Sequence, residues 1–478
     1  MTNAQLPTNG STEGLSREIR KWDLVALLVN VTVGAGILRL PSEVQRTVGN
    51  YSLAAFVACA VIIGLIVLCF AEVASRFSGT GGPYLYARET FGGPLGFMVG
   101  WLMWLTRIAG FATLVQVFVG YLGFFWPPAG STIPRAVIII FIVALLTAIN
   151  LAGVKESTLT GNVLTISKLI PLLLLVGVGL FFINPARFAL GPKPSLGSFS
   201  GAVFILVYVF SGFEAVLVNS GEIRQPRRAI PFALIVALSA SVILFLLVQI
   251  VCIGTLPELA ASERPLADAS SRFLGSVGPT IISAGALISV LGTLNVVMLA
   301  CTRLPFAMAV QGQLPSLLAR VHSRFRTPHV SILVSAAAVL AVALPGTFIY
   351  ALKLTVITRV LVYASTCAAL PALRNRDAKP GNLPAGPNCV EVRQLMPGGG
   401  EVCDQAAMVR FERPDLAPSK SGGFRAPAGV SLSVLCILFC LGLLANSGWM
   451  EARDVAIAAA AGLLIFAATR FSKRQPRS

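Results

Sequence analysis

The chain has 478 residues, of which 55% are hydrophobic and 12% are charged. The charged fraction is about half that of an average soluble domain, so the composition excludes an ordinary soluble protein and indicates a membrane protein. The formal net charge is +17, but the basic residues are distributed by membrane side, which argues against a nucleic-acid partner.

Twelve apolar runs of about 20 residues predict transmembrane helices in the lipid bilayer. They cover residues 23–47, 51–76, 94–126, 134–151, 158–183, 199–221, 230–254, 278–309, 329–350, 352–371, 428–446 and 453–470. The first twenty residues are polar, so we expect no cleavable signal peptide and expect the first span to start insertion. The expected fold class is an all-α integral membrane protein with twelve transmembrane helices.

The Lys and Arg residues set the expected orientation. With the N-terminus placed in the cytoplasm, 25 of the 37 basic residues fall on inner segments, 9 on outer segments and 3 within spans. This asymmetry fits the positive-inside rule and predicts that both termini are cytoplasmic. We expect a multi-pass protein of the cell (inner or plasma) membrane.

One long polar segment interrupts the succession of spans. Residues 372–427 are rich in Pro, Gly and charge, and we interpret them as a cytoplasmic insertion that is either a tolerated loop or a regulatory element. The insertion separates a ten-helix core at 22–371 from two further spans at 428–470. Cytoplasmic tails are expected at 1–21 and 471–478.

The first span contains the stretch "VTVGAGILRLP" at 31–41. Each of its two glycines, Gly34 and Gly36, costs a helix about 1 kcal/mol relative to alanine. If the span is two half-helices, the outer half begins near Gly36 with free N–H groups that attract a carboxylate. The inner half then ends near Thr32 with free carbonyls that accept an ammonium group. The alternative is that the glycines only permit close helix packing.

The sixth span has a similar interruption, "YVFSGFEA" at 208–215, which contains Ser211 and Gly212. Carbonyl groups at Phe210 and Ser211 would add acceptors for an ammonium group. If spans 1–5 and 6–10 are two repeats, their five-helix length makes them run in opposite directions. Paired glycine-interrupted segments in such repeats indicate a binding site near the membrane midplane.

Four segments carry a family resemblance: "GAGILRLP" in the first span, "FAEVASRFSGTGGPYLYARETFG" at 70–92, "NVLTISKLIPLLL" in the fifth span and "FSGFEAVLVNSGEIRQPRRAIPFAL" at 210–234. The chain resembles the amino acid–polyamine–organocation (APC) superfamily, with the LeuT-type fold, over about 20–374 and in its last two spans. The resemblance implies a five-plus-five inverted repeat with discontinuous first and sixth helices and two extra C-terminal helices. It also implies that backbone at Gly34, Ala35 and Gly36 holds a substrate carboxylate. Ile37 completes this predicted set.

The resemblance assigns roles to two further residues. Tyr208 matches the position of an aromatic lid over the substrate, and its alternative is a core or interface tyrosine. Lys168 matches a lysine whose ammonium stands where sodium-coupled relatives bind a structural sodium ion. It would tie the fifth span to the first and eighth and could exchange a proton, whereas snorkelling to the interface is the alternative.

Two other charges inside spans are candidates for coupling or gating. Glu214 follows the second break, where a helix N-terminus stabilises a carboxylate; a structural cap is the alternative. Arg107 in the third span is expected to form a structural ion pair, for which Glu214 is a candidate, or else to meet an acidic substrate group. Glu72 and Arg359 lie near inner ends of their spans and form a second possible pair. The stretch 79–92 resembles an interfacial helix with Tyr84 and Tyr86 as membrane-level anchors.

No enzymatic or metal site is expected. Seven of the nine cysteines lie in spans, the spacing of Cys389 and Cys403 matches no metal motif, and no zinc-protease, phosphate-loop or serine-hydrolase motif occurs. We expect no cofactor, with a proton as the coupling ion.

The sequence therefore predicts a secondary active transporter for amino acids that works by alternating access and proton symport. Amino acid exchange is the alternative mechanism, and a non-transporting amino acid sensor is the alternative function. Apolar neighbours suggest a neutral substrate, and Arg107 keeps an anionic one open. We expect a monomer or a weak homodimer in the lipid bilayer.

Overall fold

A computed structural model describes residues 19–34, 36–77, 81–153, 158–378 and 423–474. Apart from one isolated bridge between Ile19 and Ile223, the regular structure of these residues is helical. In chain order the first eight α-helices of these residues are α1 Lys21–Thr32, α2 Gly36–Val48, α3 Ser52–Ser75, α4 Pro83–Phe91, α5 Gly93–Phe125, α6 Thr132–Ala152, α7 Thr158–Gly179 and α8 Leu196–Leu206. The next eight are α9 Phe213–Val216, α10 Pro226–Thr255, α11 Pro265–Leu274, α12 Val277–Val310, α13 His329–Ala343, α14 Phe348–Ala378, α15 Gly429–Leu444 and α16 Trp449–Arg474.

Long apolar helices dominate the part of the chain that the structure describes. By length and composition, seven helical stretches could cross a membrane: Gly36–Ser75, Gly93–Phe125, Thr132–Ala152, Pro226–Thr255, Val277–Val310, Phe348–Arg376 and Trp449–Arg470. Shorter apolar helices lie at Leu169–Phe182, Leu196–Leu206, His329–Ala343 and Gly429–Leu444. The prediction of an all-helical protein with several membrane-spanning helices is confirmed.

Helix α14 continues beyond the point where the sequence placed the start of the polar insertion. It ends at Ala378 and contains Pro371 within the helix. A proline inside a helix leaves the carbonyl four residues earlier without its N–H partner. That carbonyl, of Cys367, accepts a hydrogen bond from the hydroxyl of Ser433 in α15 at 2.5 Å. A neighbouring helix therefore satisfies the freed group, and the helix can continue. Residues 379–422 of the predicted insertion lie outside the described residues.

The predicted interfacial helix is present as α4, but one of its tyrosines belongs to the core. Tyr86 is fully buried, with its ring 5.1 Å from that of Phe77. Tyr84 is half-buried and donates a hydrogen bond to Gln311 at 2.6 Å. The prediction that Tyr86 anchors the helix at the membrane surface is wrong, because α4 packs against α5 and α14 and turns this side chain inward.

Helix α5 lies among α12, α13 and α14 and forms the centre of the packing. Helix α3 packs against α8, α10 and α14, and α1 packs against α9 and α10. Helix α2 contacts α8 and α11. This arrangement brings the end of α1, the start of α2 and the segment between α8 and α9 together beside α5, α12 and α14.

A buried carboxylate joins α3 to the end of α14 and to the segment before α15. Glu72 is 0% exposed and accepts hydrogen bonds from Arg76 Nη2 at 2.7 Å, from Arg374 Nε at 2.8 Å and from the backbone N–H of Ala426 at 2.8 Å. The suggested pairing of Glu72 with Arg359 is wrong. Glu72 instead holds the chain that leads into α15 against the core.

Replacing Glu72 with glutamine should lower the free energy of unfolding by about 1.5–3 kcal/mol, the usual size of a hydrogen bond to a charged group. The amide keeps one acceptor oxygen but turns its NH₂ group toward donors. Thermal unfolding of the purified protein in detergent measures the change. Glu258→Gln, at an exposed loop position, is the matched control and should leave the midpoint unchanged. Equal midpoints for both variants would contradict an anchoring role for Glu72.

Candidate functional site

The first helix interruption lies between Thr32, the last residue of α1, and Gly36, the first residue of α2. Val33 leaves the helix with φ −74° and ψ 70°, and the N–H of Gly34 donates to the carbonyl of Thr32 at 2.7 Å. The first N–H groups of α2 have no partner within the helix, so the start of α2 carries a partial positive charge. Ala35 lies outside the described residues.

The second interruption lies between α8, which ends at Leu206, and α9, which begins at Phe213. Residues 207–210 form a loose turn, in which the N–H of Val209 donates to the carbonyl of Leu206 at 3.0 Å. Gly212 then has φ +112°, a left-handed conformation that favours glycine. Both interruptions therefore occur at the glycine-containing stretches that the sequence indicated.

The two interruptions contact each other through their glycines. A Cβ atom added to Gly212 would lie 2.9 Å from Cγ1 of Val31. A Cβ atom added to Gly36 would lie 2.8 Å from Cδ1 of the Tyr208 ring. At both distances an added side chain would overlap its neighbour. Glycine is therefore needed at both positions for the ends of the half-helices to meet. The ring of Tyr208 thus lies directly against the start of α2.

A cavity of about 150 Å³ lies where the interruptions meet α5, α12 and α14. It is large enough for a small organic molecule rather than a single water. Its lining consists of Val31, Thr32, Gly34, Gly36, Met103, Thr106, Arg107, Gly110, Leu114, Tyr208, Val209, Ser211, Gly212, Glu214, Ala215, Thr293, Val297, Arg359 and Val362. The walls are mostly apolar, with a few polar groups near the helix interruptions, which is typical of ligand sites.

Glu214 is the one carboxylate among the described residues that line the cavity, and it is fully engaged. Its Oε1 lies 2.9 Å from Nε of Arg359, an ion pair by distance although the angle is poor for a hydrogen bond. Its Oε2 accepts hydrogen bonds from the N–H of Gly212 and from the hydroxyl of Tyr363, each at 2.9 Å. Arg359 also donates to the hydroxyl of Ser211. The carboxylate therefore caps the second interruption and joins it to α14, in line with the capping alternative.

Arg107 does not take the ion-pair role expected of it. Within the described residues, no carboxylate lies within 4.0 Å of its guanidinium group, because Glu214 is paired with Arg359 instead. Nε of Arg107 is enclosed and has no hydrogen-bond partner there. The expectation of a structural ion pair for Arg107 is wrong, and its half-buried side chain lines the cavity.

Most of the other predicted residues gather at the cavity. Thr32, Gly34, Gly36, Tyr208, Ser211 and Gly212 line it. Ile37 is 1% exposed and belongs to the core. Phe210 packs its ring against Phe56 and Phe245, at 6.2 and 5.3 Å between centroids, so only its backbone is available to the site. The side chain of Lys168 lies outside the described residues.

The sequence reasoning missed several site residues. Arg359 was visible as a charge inside a span but was assigned a different partner. Tyr363, one helical turn further along α14, carried no signal that distinguished it from a core tyrosine. Thr106 on α5 and Thr293 on α12 line the cavity, but the inward faces of these helices are not apparent from such uniformly apolar segments.

The chain is similar to known membrane transporters. A family model described as amino acid permease matches residues 19–386. A methylthioribose transporter of Bacillus subtilis (strain 168) is 29% identical over 344 residues, which cover 68% of this chain and 74% of the relative. The branched-chain amino acid permease BcaP of the same organism is 25% identical over 478 residues, covering 95% of this chain and 93% of the relative. Its serine/threonine exchanger SteT is 28% identical over 333 residues, covering 67% and 74%.

Proposed function

Because the chain belongs to the amino acid permease family, we propose that it is a secondary transporter that moves amino acids across the cell membrane by alternating access. The observation that carries the proposal is the cavity at which two interrupted helices meet. The proposal includes twelve membrane-spanning helices, a five-plus-five inverted repeat and cytoplasmic termini. Paired interruptions that face each other are the expected outcome of such a repeat.

The two interruptions offer complementary charge to an amino acid. The free N–H groups at Gly36 and the residues after it suit the α-carboxylate. Carbonyl groups at the end of α1, such as that of Thr32, suit the α-ammonium group. Both sets of backbone groups border one cavity, so a single zwitterion can contact both.

Tyr208 supplies a means of closing the cavity on one side. Its ring rests against Gly36 and lines the cavity. A change of rotamer would move the ring away from the start of α2 and open a path to the site, in the manner of a gating side chain. We place this gate on the outer side, since α2 is the outer half of the first span in the proposed topology.

For energy coupling, we propose proton symport. The support is the resemblance of Lys168 to the lysine that replaces a bound sodium ion in related proteins. Exchange is the competing mechanism, and one relative is named as an exchanger.

Uptake of labelled amino acids into proteoliposomes tests the proposal. We expect uptake to follow an inward proton gradient and to stop when a protonophore collapses it, with protein-free liposomes as the control. A strict requirement for internal amino acid would establish exchange instead. Dependence on sodium would rule out the role assigned to Lys168. Amino acid binding without any flux would identify a sensor and contradict transport.

A further inference from the structure

The side chains that line the cavity do not balance in charge. Counting the side chains that the structure describes there, Arg107 and Arg359 are positive and Glu214 is negative. Arg359 and Glu214 neutralise each other at 2.9 Å. One guanidinium group, that of Arg107, is left over at the cavity wall.

An unbalanced guanidinium at this depth is costly. Burial of a charge without a partner is strongly unfavourable, and charges inside membrane proteins are normally paired or serve function. Nε of Arg107 is enclosed and has no partner among the described residues. Its neighbours on the same helix that also line the cavity are Met103, Thr106 and Gly110, and none of these carries a negative charge. With no partner among the described residues, a bound anion is the source that the cavity can accommodate.

We propose that the cavity takes an amino acid with an anionic side chain, such as glutamate or aspartate, and that Arg107 binds the side-chain carboxylate. The proposal rests on the proposed transport function. A guanidinium group pairs with a carboxylate through two parallel hydrogen bonds, which makes arginine well suited to this recognition.

The position of Arg107 separates its role from recognition of the amino acid backbone. The α-carboxylate and α-ammonium sites belong to the ends of α2 and α1, whereas Arg107 belongs to α5. A zwitterion with a neutral side chain would leave Arg107 unpaired. An acidic amino acid supplies one further negative charge and neutralises the cavity. Lysine, arginine and polyamines would add positive charge beside Arg107 and should be excluded.

Calorimetric titration of the purified full-length protein with glutamate, glutamine, leucine and arginine tests this proposal. We expect glutamate to bind at least about thirtyfold more tightly than glutamine, since one desolvated charge pair contributes affinity on that scale. Arginine should not bind. In Arg107→Gln, the affinity for glutamate should fall by a similar factor, while the affinity for glutamine should change by less than about threefold. Arg227→Gln, at an exposed position at the start of α10, removes the same charge and should leave all affinities unchanged.

The outcomes distinguish failure of the inference about Arg107 from failure of the proposed transport function. If the unaltered protein binds glutamine or leucine as well as glutamate, the inference fails and the transport proposal stands. If Arg107→Gln weakens glutamate and glutamine equally, Arg107 binds the α-carboxylate and the inference is again overturned. If none of the four amino acids binds, the inference fails, and titration with the remaining amino acids then tests the proposed function. The comparison of glutamate with glutamine in the unaltered protein decides the question even if the variant does not fold.

Discussion

Replacing Gly36 with alanine should reduce amino acid uptake by about ten- to a hundredfold, while the protein remains inserted and folded. The added methyl group would lie 2.8 Å from Tyr208 Cδ1 and 3.1 Å from Cε1, so the ring has to leave its position at the cavity. Overpacking of this kind costs about 1–3 kcal/mol, or about fivefold to 150-fold in affinity, and the expected loss lies within that range. Uptake into proteoliposomes and binding to the purified protein measure the effect.

Gly201 provides the matched control, since it lies in α8 and is absent from the cavity lining. A Cβ atom there would lie in open space. Gly201→Ala should therefore transport within about threefold of the unaltered protein, since its added methyl group causes no overpacking. If Gly36→Ala transports as well as Gly201→Ala, the contact between Gly36 and Tyr208 is a packing seam and the substrate site lies elsewhere.

Removing the charge of Arg359 should both destabilise the protein and stop transport. Arg359→Met leaves Glu214 charged and without its ion-pair partner, and removal of one partner from a buried pair costs about 3–5 kcal/mol. The second interruption would then lose two of its polar connections to α14, because the same guanidinium also donates to Ser211, and would keep the hydrogen bond from Tyr363 to Glu214. Thermal unfolding in detergent gives the stability, and proteoliposome uptake gives the activity.

A double variant distinguishes an unpaired charge from a lost contact. Glu214→Gln combined with Arg359→Met removes both charges, so it should recover part of the stability lost in Arg359→Met alone. The control pair is Lys353 and Glu451, 3.1 Å apart between α14 and α16 and absent from the cavity lining. Lys353→Met should leave transport unchanged. A double variant no more stable than Arg359→Met would show that the cost does not arise from an unpaired carboxylate.

The segments that interrupt the first and sixth spans illustrate how far local reasoning extends. Glycine lowers the stability of a helix wherever it occurs in the helix interior. The segments "VTVGAGILRLP" and "YVFSGFEA" can therefore be recognised as helix interruptions without knowledge of their surroundings. The structure places both at one cavity and adds the reason for two of the glycines, Gly36 and Gly212, which lie against Tyr208 and Val31.

Pairings between helices show where local reasoning stops. Glu214 pairs with Arg359, which follows it by more than a hundred residues, and Glu72 pairs with Arg374 rather than with Arg359. Helices α3, α5 and α12 are apolar on nearly all sides, and such a pattern does not reveal which face turns inward. The rotation of a helix about its axis, and with it the partner of each charge, depends on packing against neighbours.

The amino-acid sequence by itself determined that the protein is an all-helical membrane protein, which segments carry helix interruptions, and the family to which it belongs. These properties follow from hydropathy, from glycine positions and from short motifs, all of which are local. Only the tertiary structure decided that Tyr86 is a core residue, that Arg359 neutralises Glu214, and that Arg107 faces the cavity with no carboxylate partner among the described residues. These facts depend on which faces of distant helices meet. In the low-dielectric interior the electrostatic energy of each charge then depends strongly on whether it has a partner.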